Sequence, residues 1–336
     1  MVWLLAPFYM KIVYMDQKEA KDIEHLRRSL VEGIEVTIIA PEEKDKLISQ
    51  APEFHGIIGA GIPREFLEKA ENLKYVIIPF AGIPKNDKEV LSDYPYLTVV
   101  NSHFNKGLVA EHAWALLLAS ARRLCSVHEK LKKGDWSPRY EHHMGVGLEG
   151  KCLLIIGYGA VGKEIARIGK AFNMIVKAVN KSGGDGKDID HLGTDDELHG
   201  LLPEADFIVV ALPLTDETEG FLGSEEFQCM KEGVHLVNIG RGPVIDEEAF
   251  YQALNTGKLG GAAIDTWWIY PPDEESRTDT FPSKYPLDRF DNLVFSPHRS
   301  THVEDRERMR MNDLACILND LYKGKERNVV DLEKGY

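Results

Sequence analysis

Residues 152–165 read CLLIIGYGAVGKEI, an apolar run broken by glycines at 157, 159 and 162. G-x-G-x-x-G between a strand and a helix is what a dinucleotide pyrophosphate requires. Gly157 permits the tight turn, Gly159 lets the backbone approach the phosphates, and Gly162 lets the helix pack closely on the strand. The helix opening at Ala160 and Val161 then offers unpaired N–H groups and a partial positive charge to the anion. A glycine-rich turn without a ligand is the bland alternative, and the strands downstream weigh against it. The next apolar run, Ile175–Val179, ends in Asn180, Lys181 and Ser182. An acid at that strand end would hold the ribose hydroxyls of NAD. Here the acid is missing and a cation stands beside a hydroxyl, which suits a 2′-phosphate. NADP is therefore favoured over NAD. The alternative is that Lys181 is a solvated surface lysine and either cofactor is used.

Two more residues stand out by type and place. Arg241, in NIGRGPVID, follows an apolar run and precedes Gly242. Its planar fork can hold a carboxylate and a carbonyl oxygen together, and it stays charged at any working pH. The competing reading is a structural ion pair on a loop. His298, in SPHRS, ends the last strand-like run, where ligands bind in open α/β sheets. Imidazole titrates near neutrality, so it can give and take a proton in both directions of a reversible reaction. The chain has 12 histidines, and an arbitrary one is more often structural.

The elements that must position these residues come in two series. Candidate strands in the first hundred residues are Lys11–Met15, Glu35–Ala40, Gly56–Ile58, Tyr75–Phe80 and Leu97–Val100, with helix-like stretches such as Ala20–Glu32 and Pro63–Ala70 between them. That alternation predicts a parallel sheet covered by helices. A long helix, Lys106–Leu124, is apolar around most of its circumference, which predicts burial between layers or subunits. Lys132–Gly150 reads as loop. Six further strands follow at Cys152–Ile156, Ile175–Val179, Phe207–Leu212, Val234–Ile239, Ala262–Thr266 and Leu293–Ser296, the count of a doubly wound dinucleotide fold. A last helix, Val303–Tyr322, and a tail ending NVVDLEKGY are left over, which suggests that the tail returns to the first domain.

Composition narrows the function classes. The 336 residues carry a net charge of -14, the wrong sign for a protein living on nucleic-acid phosphates. Four cysteines, at 125, 152, 229 and 316, form no C-x-x-C pair, so a disulfide scaffold and a zinc knuckle are excluded and no metal is expected. That usage fits a reducing, cytoplasmic setting. No apolar run approaches the ~20 residues of a membrane span. The start, MVWLLAPFYMKIVYMD, lacks a basic n-region and a small-residue cleavage site. Residues 1–9 read as an upstream extension, with Met10 as an alternative start.

Taken together, several segments make the sequence specific. PFAGIPKND (79–87), VVNSHFNKGLVAEHAWALLLASARR (99–123), LEGKCLLIIGYGAVGKEIA (148–166), ALPLTDETEG (211–220), VNIGRGPVIDEEA (237–249), AAIDTW (262–267) and SPHRS (296–300) cover most of the chain. In this order they resemble the D-isomer-specific 2-hydroxyacid dehydrogenase family, with its glycerate, glyoxylate/hydroxypyruvate and phosphoglycerate enzymes. The resemblance implies a Rossmann cofactor domain, about 102–298, inserted into a flavodoxin-like substrate domain made of about 1–101 and 299–336. The active site would lie in the cleft between them, and the protein would be a homodimer. It implies Arg241 as the substrate arginine and His298 as proton donor and acceptor. Backbone N–H groups of Ala81, Gly82 and Ile83 would meet the substrate carboxylate as an anion nest. Asn105 and, less strongly, His103 would face the same cleft; a solvated loop residue is the alternative for His103. Asp265 would accept from the nicotinamide carboxamide, and Pro213, Thr215 and Thr218 would line the cofactor's path.

One position departs from the family pattern. Where the family places a glutamate that pairs with the histidine, this chain has Tyr270, in DTWWIYPP. A hydroxyl can still orient the imidazole, but it cannot stabilise imidazolium as a carboxylate does. A lower His298 pKa and a reduction optimum shifted toward acid are expected, unless Asp273, Glu274 or Glu275 folds back as substitute. Trp267 and Trp268 either shape the pocket or pack at the sheet edge. The leading expectation is NAD(P)-dependent reduction of a small 2-keto acid such as glyoxylate or hydroxypyruvate. The alternatives are formate- or phosphite-type oxidation, and a dinucleotide-sensing binding protein with weak catalysis.

Overall fold

Ile155, Val176, Ile208, Val209, Leu236 and Ala263 are fully enclosed. Strands buried on both faces are the mark of parallel sheets covered by helices on each side. The computed structural model describes residues 9–141, 144–184 and 186–332. The expected N-terminal extension lies outside these residues except for Tyr9, as do the last four residues of the tail. The chain forms two compact units, one made of the residues up to Asn105 and those from His302 onward, the other of Lys106–Thr301.

In the first unit, strands β1 (Met10–Met15), β2 (Ile34–Ile39), β3 (Gly56–Ile58), β4 (Tyr75–Ile78) and β5 (Thr98–Asn101) form a sheet in the order β2-β1-β3-β4-β5. All its neighbouring strands are parallel, in the doubly wound flavodoxin-like order. The tail adds to it: the Val330 N–H donates to the Val99 carbonyl at 2.8 Å, and the Asn101 N–H to the Asn328 carbonyl at 3.1 Å. Helix Arg306–Tyr322 buries Met311, Leu314, Ile317 and Leu318 in one cluster with Ile23 and Leu26 of helix Ala20–Arg28.

In the second unit, strands β6 (Cys152–Ile156), β7 (Ile175–Val179), β8 (His191–Gly193), β9 (Phe207–Val210), β10 (Val234–Asn238), β11 (Leu259–Ile264) and β12 (Leu293–Phe295) run in the order β12-β11-β10-β9-β6-β7-β8. The reversal of direction at β6 is the switch point at which open α/β sheets bind ligands. One face of this sheet is covered by helix Lys106–Ala121 and helix Ala160–Ala171, the other by a core containing Leu222, Phe227, Phe250 and Leu254.

The structure corrects three expectations. The dinucleotide sheet has seven strands; β8 is three residues long, too short for a periodic signal. The long helix ends at Ala121, because Arg123 takes a left-handed conformation (φ 51°) that an α-helix cannot continue. A second helix, Leu124–Lys132, fills the stretch between the expected helix and the expected loop, to which the sequence reading assigns no element. The last helix starts at Arg306.

The glycine turn is dictated by contact as much as by conformation. A Cβ on Gly162 would stand 2.2 Å from the Gly157 carbonyl oxygen, an atom of rigid backbone. Gly162→Ala therefore forces the helix Ala160–Ala171 off β6. We expect a loss of about 1–3 kcal/mol of stability, read as a lower urea midpoint. Gly159 faces open space, so Gly159→Ala should leave that midpoint unchanged.

Candidate active site

Parallel strands deliver their following loops to one edge of the sheet. β10 leads to Arg241, β11 to Asp265 and β12 to His298, and these three strands are adjacent. The glycine turn follows β6, Asn180 and Lys181 follow β7, and Pro213 follows β9. The sequence candidates of this unit thus converge on the carboxyl edge.

Asp265 is fully buried there. Its Oδ1 accepts the Ser296 hydroxyl at 2.5 Å and the Arg299 N–H at 3.1 Å. His112 Nε2, from helix Lys106–Ala121, lies 2.9 Å from Ser296 Oγ and 3.2 Å from the same carboxylate oxygen. Burial alone would raise the carboxyl's pKa; the bonds from His112, Ser296 and Arg299 outweigh it and bring it to about 2. The carboxylate therefore grips both ends of the turn Ser296–Arg299. Within that turn His298 has φ 50°, and its N–H donates to the Ser296 carbonyl at 3.0 Å. A non-glycine residue in that region costs energy, and the clamp holds it there.

The imidazole is held from its other side. The Trp267 N–H donates to Tyr270 Oη at 3.2 Å, and Tyr270 Oη lies 2.9 Å from His298 Nδ1. With its oxygen already accepting from Trp267, the tyrosine is suited to donate to Nδ1, which leaves the proton of a neutral imidazole on Nε2. Burial lowers the His298 pKa from its ordinary value and the Arg241 guanidinium lowers it further, with Asp265 opposing. Burial raises that of Tyr270, against the Trp267 N–H and Arg241. The charge of Arg241 is thus felt by both rings. Its loop is pinned by buried Asn238, whose side chain donates to the Arg241 carbonyl at 3.0 Å and accepts the Gly240 N–H at 3.0 Å. The Arg241 guanidinium donates to the Gly240 carbonyl at 2.7 Å and remains exposed at its edge. The tryptophans pack. Trp267 stacks on Phe295 at 4.8 Å and donates to the Ser296 carbonyl at 2.8 Å, and Trp268 donates to the Ile245 carbonyl at 2.9 Å.

The residues around the glycine turn fit a dinucleotide. Gly157 has φ 103°, and a Cβ there would meet the Ala211 carbonyl oxygen at 2.8 Å. In front of Gly159 there is open space, and no side chain caps the helix that begins at Ala160 and Val161. Asn180 Oδ1 and Asp265 Oδ2 are sealed from solvent without a hydrogen-bond partner among the described residues, the state of polar atoms that await one. The loop after β9 is braced internally, with the Thr218 hydroxyl donating to the Pro213 carbonyl at 2.6 Å and accepting the Thr215 N–H at 2.8 Å. Lys181, beside Ser182, is paired with Glu217, its Nζ 2.8 and 2.6 Å from the two carboxylate oxygens.

In the first unit, Gly82 has φ 81° between Ala81 and Ile83, with nothing near the position of a Cβ. Asn105 Oδ1 is buried without a partner among the described residues, and His103 is partly buried nearby in sequence. Among the described residues no group of three or more His, Cys, Asp or Glu could hold a metal ion, and no helix is long and apolar enough to cross a membrane. His112, Ser296, Asn238 and Glu217 were not singled out from the sequence. A lone histidine within an apolar helix was the available signal for His112.

The family model for the D-isomer specific 2-hydroxyacid dehydrogenase NAD binding domain matches residues 114–300. The chain belongs to that family. It is 31% identical over 331 residues to D-3-phosphoglycerate dehydrogenase of Archaeoglobus fulgidus, covering 96% of this chain and 59% of that protein. With glyoxylate/hydroxypyruvate reductase B of Yersinia pestis it shares 29% identity over 84% of each chain. This chain therefore spans little more than half of the archaeal protein's length. Among solved structures, a Pyrococcus horikoshii OT3 protein superposes with a TM-score of 0.77 at 26% identity over 96% of each chain. An acyclic imino acid reductase in complex with NADPH and D-Arg gives 0.73 at 26% identity, covering 96% of this chain and 100% of that one.

The Asp265 clamp predicts a pH signature. The carboxyl titrates near 3.8 in an unfolded chain and about 2 here. Its stabilising contribution is present above pH 4 and is lost as pH falls toward 2. Between pH 5 and pH 3 the parent protein should lose about 1 kcal/mol more stability than Asp265→Asn, measured by urea unfolding at each pH.

Proposed function

We propose that this protein is an NAD(P)H-dependent reductase of small 2-keto acids of the glyoxylate or hydroxypyruvate kind, acting reversibly on the D-2-hydroxy acids. The observation that carries the reading is the convergence of Arg241, Asp265 and His298 at the ends of three adjacent strands beside an open glycine turn. The cofactor, when bound, supplies or accepts the hydride. Gly157, Gly159, Gly162 and the N–H groups of Ala160 and Val161 would hold its pyrophosphate, with Asn180, Ser182, Pro213, Thr215 and Thr218 along its length. NADPH is favoured, on Lys181 and the missing acid at the end of β7. Asp265 Oδ2 would accept from the carboxamide.

Arg241 holds the substrate carboxylate and polarises the ketone. Ala81, Gly82 and Ile83, through their N–H groups, are assigned to the carboxylate as well, with Asn105 and His103 as further substrate contacts. His298 delivers a proton from Nε2 to the oxygen that becomes a hydroxyl, and Tyr270 fixes the ring from Nδ1. Domain roles follow: 102–298 binds the dinucleotide, and 1–101 with 299–336 serves the substrate.

A homodimer is part of the proposal. Helix Leu124–Lys132 buries none of its residues, and beyond it Trp136, Tyr140 and Met144 are 62, 77 and 84% exposed. Large apolar side chains left exposed along one segment mark an interaction surface. Sedimentation should give twice the 37.8 kDa chain mass, and Trp136→Asp should return it to the chain mass.

One observation favours a second substrate class. An iminium carbon takes a hydride without needing a proton, so a histidine with a depressed pKa and, among the described residues, no hydrogen-bonded carboxylate suits reduction of imino acids. The imino acid reductase among the structural neighbours is in keeping with this. A panel of keto acids, each with and without an amine, and with NADPH and NADH, separates the two. Turnover without amine supports the keto-acid reading, and turnover only with amine replaces it. His298→Gln should lower kcat for keto acids by roughly 100-fold or more. No turnover under any condition, with dinucleotide still bound, would leave a sensor.

The pH profile tests Tyr270. Ketone reduction needs imidazolium, whose fraction falls as pH rises through the His298 pKa, already below its ordinary 6.5. Tyr270→Glu places an anion against the ring and should move that falling limb alkaline by about one pH unit. An unchanged profile would show that residue 270 does not tune the histidine.

A further inference from the structure

The adenosine end of the dinucleotide site holds an ion pair with no part in hydride transfer. Lys181 Nζ lies within hydrogen-bond distance of both oxygens of Glu217. We propose that Glu217 is a specificity-determining residue for the cofactor: its carboxylate engages Lys181 and opposes a 2′-phosphate, and so holds down the preference for NADPH over NADH. The inference rests on the reading that the end of β7 faces the adenosine ribose.

Position is the first support. β7 pairs directly with β6, the strand that leads into the glycine turn. The residue ending this second strand is the one that meets the ribose in such folds. The strand end is held in place, since the Asn180 N–H donates to the Gly193 carbonyl of β8 at 3.2 Å. Lys181 follows at once. Glu217 arrives from the loop after β9, between Thr215 and Thr218, whose hydroxyl and backbone bonds brace that loop. The carboxylate is therefore presented from a fixed support.

Charge is the second support. The side chains of Lys181 and Glu217 are 54 and 67% exposed. An exposed pair of this kind is weak, so an incoming anion can open it. Asp195 reinforces the negative field: burial and Asp196 raise its pKa, Lys181 opposes, and Glu217 adds to the rise. A 2′-phosphate brings close to two negative charges into this field. It gains Lys181 in competition with Glu217, and then has a carboxylate beside it. NADH has only a hydroxyl there and is indifferent to the exchange.

The test is direct titration of the 336-residue chain with NADPH and with NADH, followed by quenching of tryptophan fluorescence, with no substrate present. Glu217→Gln keeps the shape and removes the charge. It should tighten NADPH by about five-fold, from the strength of such pairs, and change NADH by less than two-fold. Lys181→Ala should weaken NADPH selectively. If Lys181→Ala leaves the ratio of the two affinities unchanged, the ribose reading itself fails. If Lys181→Ala lowers that ratio while Glu217→Gln leaves it where it was, or shifts both cofactors equally, the ribose reading stands and the role of Glu217 is overturned.

Discussion

The buried carboxylate of Asp265 takes hydrogen bonds from both ends of the turn that carries His298. Several features of the site depend on it. It keeps a non-glycine residue at positive φ and aims the imidazole. It also draws His112, from a helix on the face of the sheet, into the same network. An ionised group without solvent is costly unless its lone pairs are satisfied. Three donors on one oxygen meet that cost, and the second oxygen stays sealed, with no partner among the described residues. One carboxylate can thus brace the protein with Oδ1 and keep Oδ2 for a ligand.

Tyr270 changes how the histidine is controlled. A carboxylate in its place would steer the ring and stabilise its charged form at once. The hydroxyl steers only, because it is neutral and itself held by the Trp267 N–H. The electrostatic burden shifts to Arg241 and to burial, both of which disfavour imidazolium. Under the proposed reading, such a site favours substrates that need little help from an acid over those that need much.

Much of this was legible in the sequence. The glycine turn, Arg241 and His298 stand where strand-like runs end, and doubly wound sheets put such positions on one edge. Strand existence was readable because buried parallel strands are continuous apolar runs, as in Cys152–Ile156. What stayed hidden depends on contacts distant in the chain. His112 and Asp265 are neighbours because helix Lys106–Ala121 packs across the face of the sheet. The pairing of Lys181 with Glu217 spans two loops. The break at Arg123 is a local left-handed kink without a glycine or proline to announce it. The three-residue β8 is fixed by pairing with β7, and its own composition gives no periodic sign of a strand.

The pairing of Val330 and Asn328 with β5 has a consequence for biosynthesis. The unit Lys106–Thr301 is contiguous, so it holds all its own long-range contacts once its last residue has left the ribosome. The first unit starts earlier and closes later, since its sheet lacks an edge segment and its helix Arg306–Tyr322 until residues 306–330 emerge. Vectorial synthesis therefore lets the interrupting unit consolidate first, while β1 to β5 wait with an open edge and an uncovered apolar face. In a nascent chain, that waiting interval is when chaperone capture or aggregation would act.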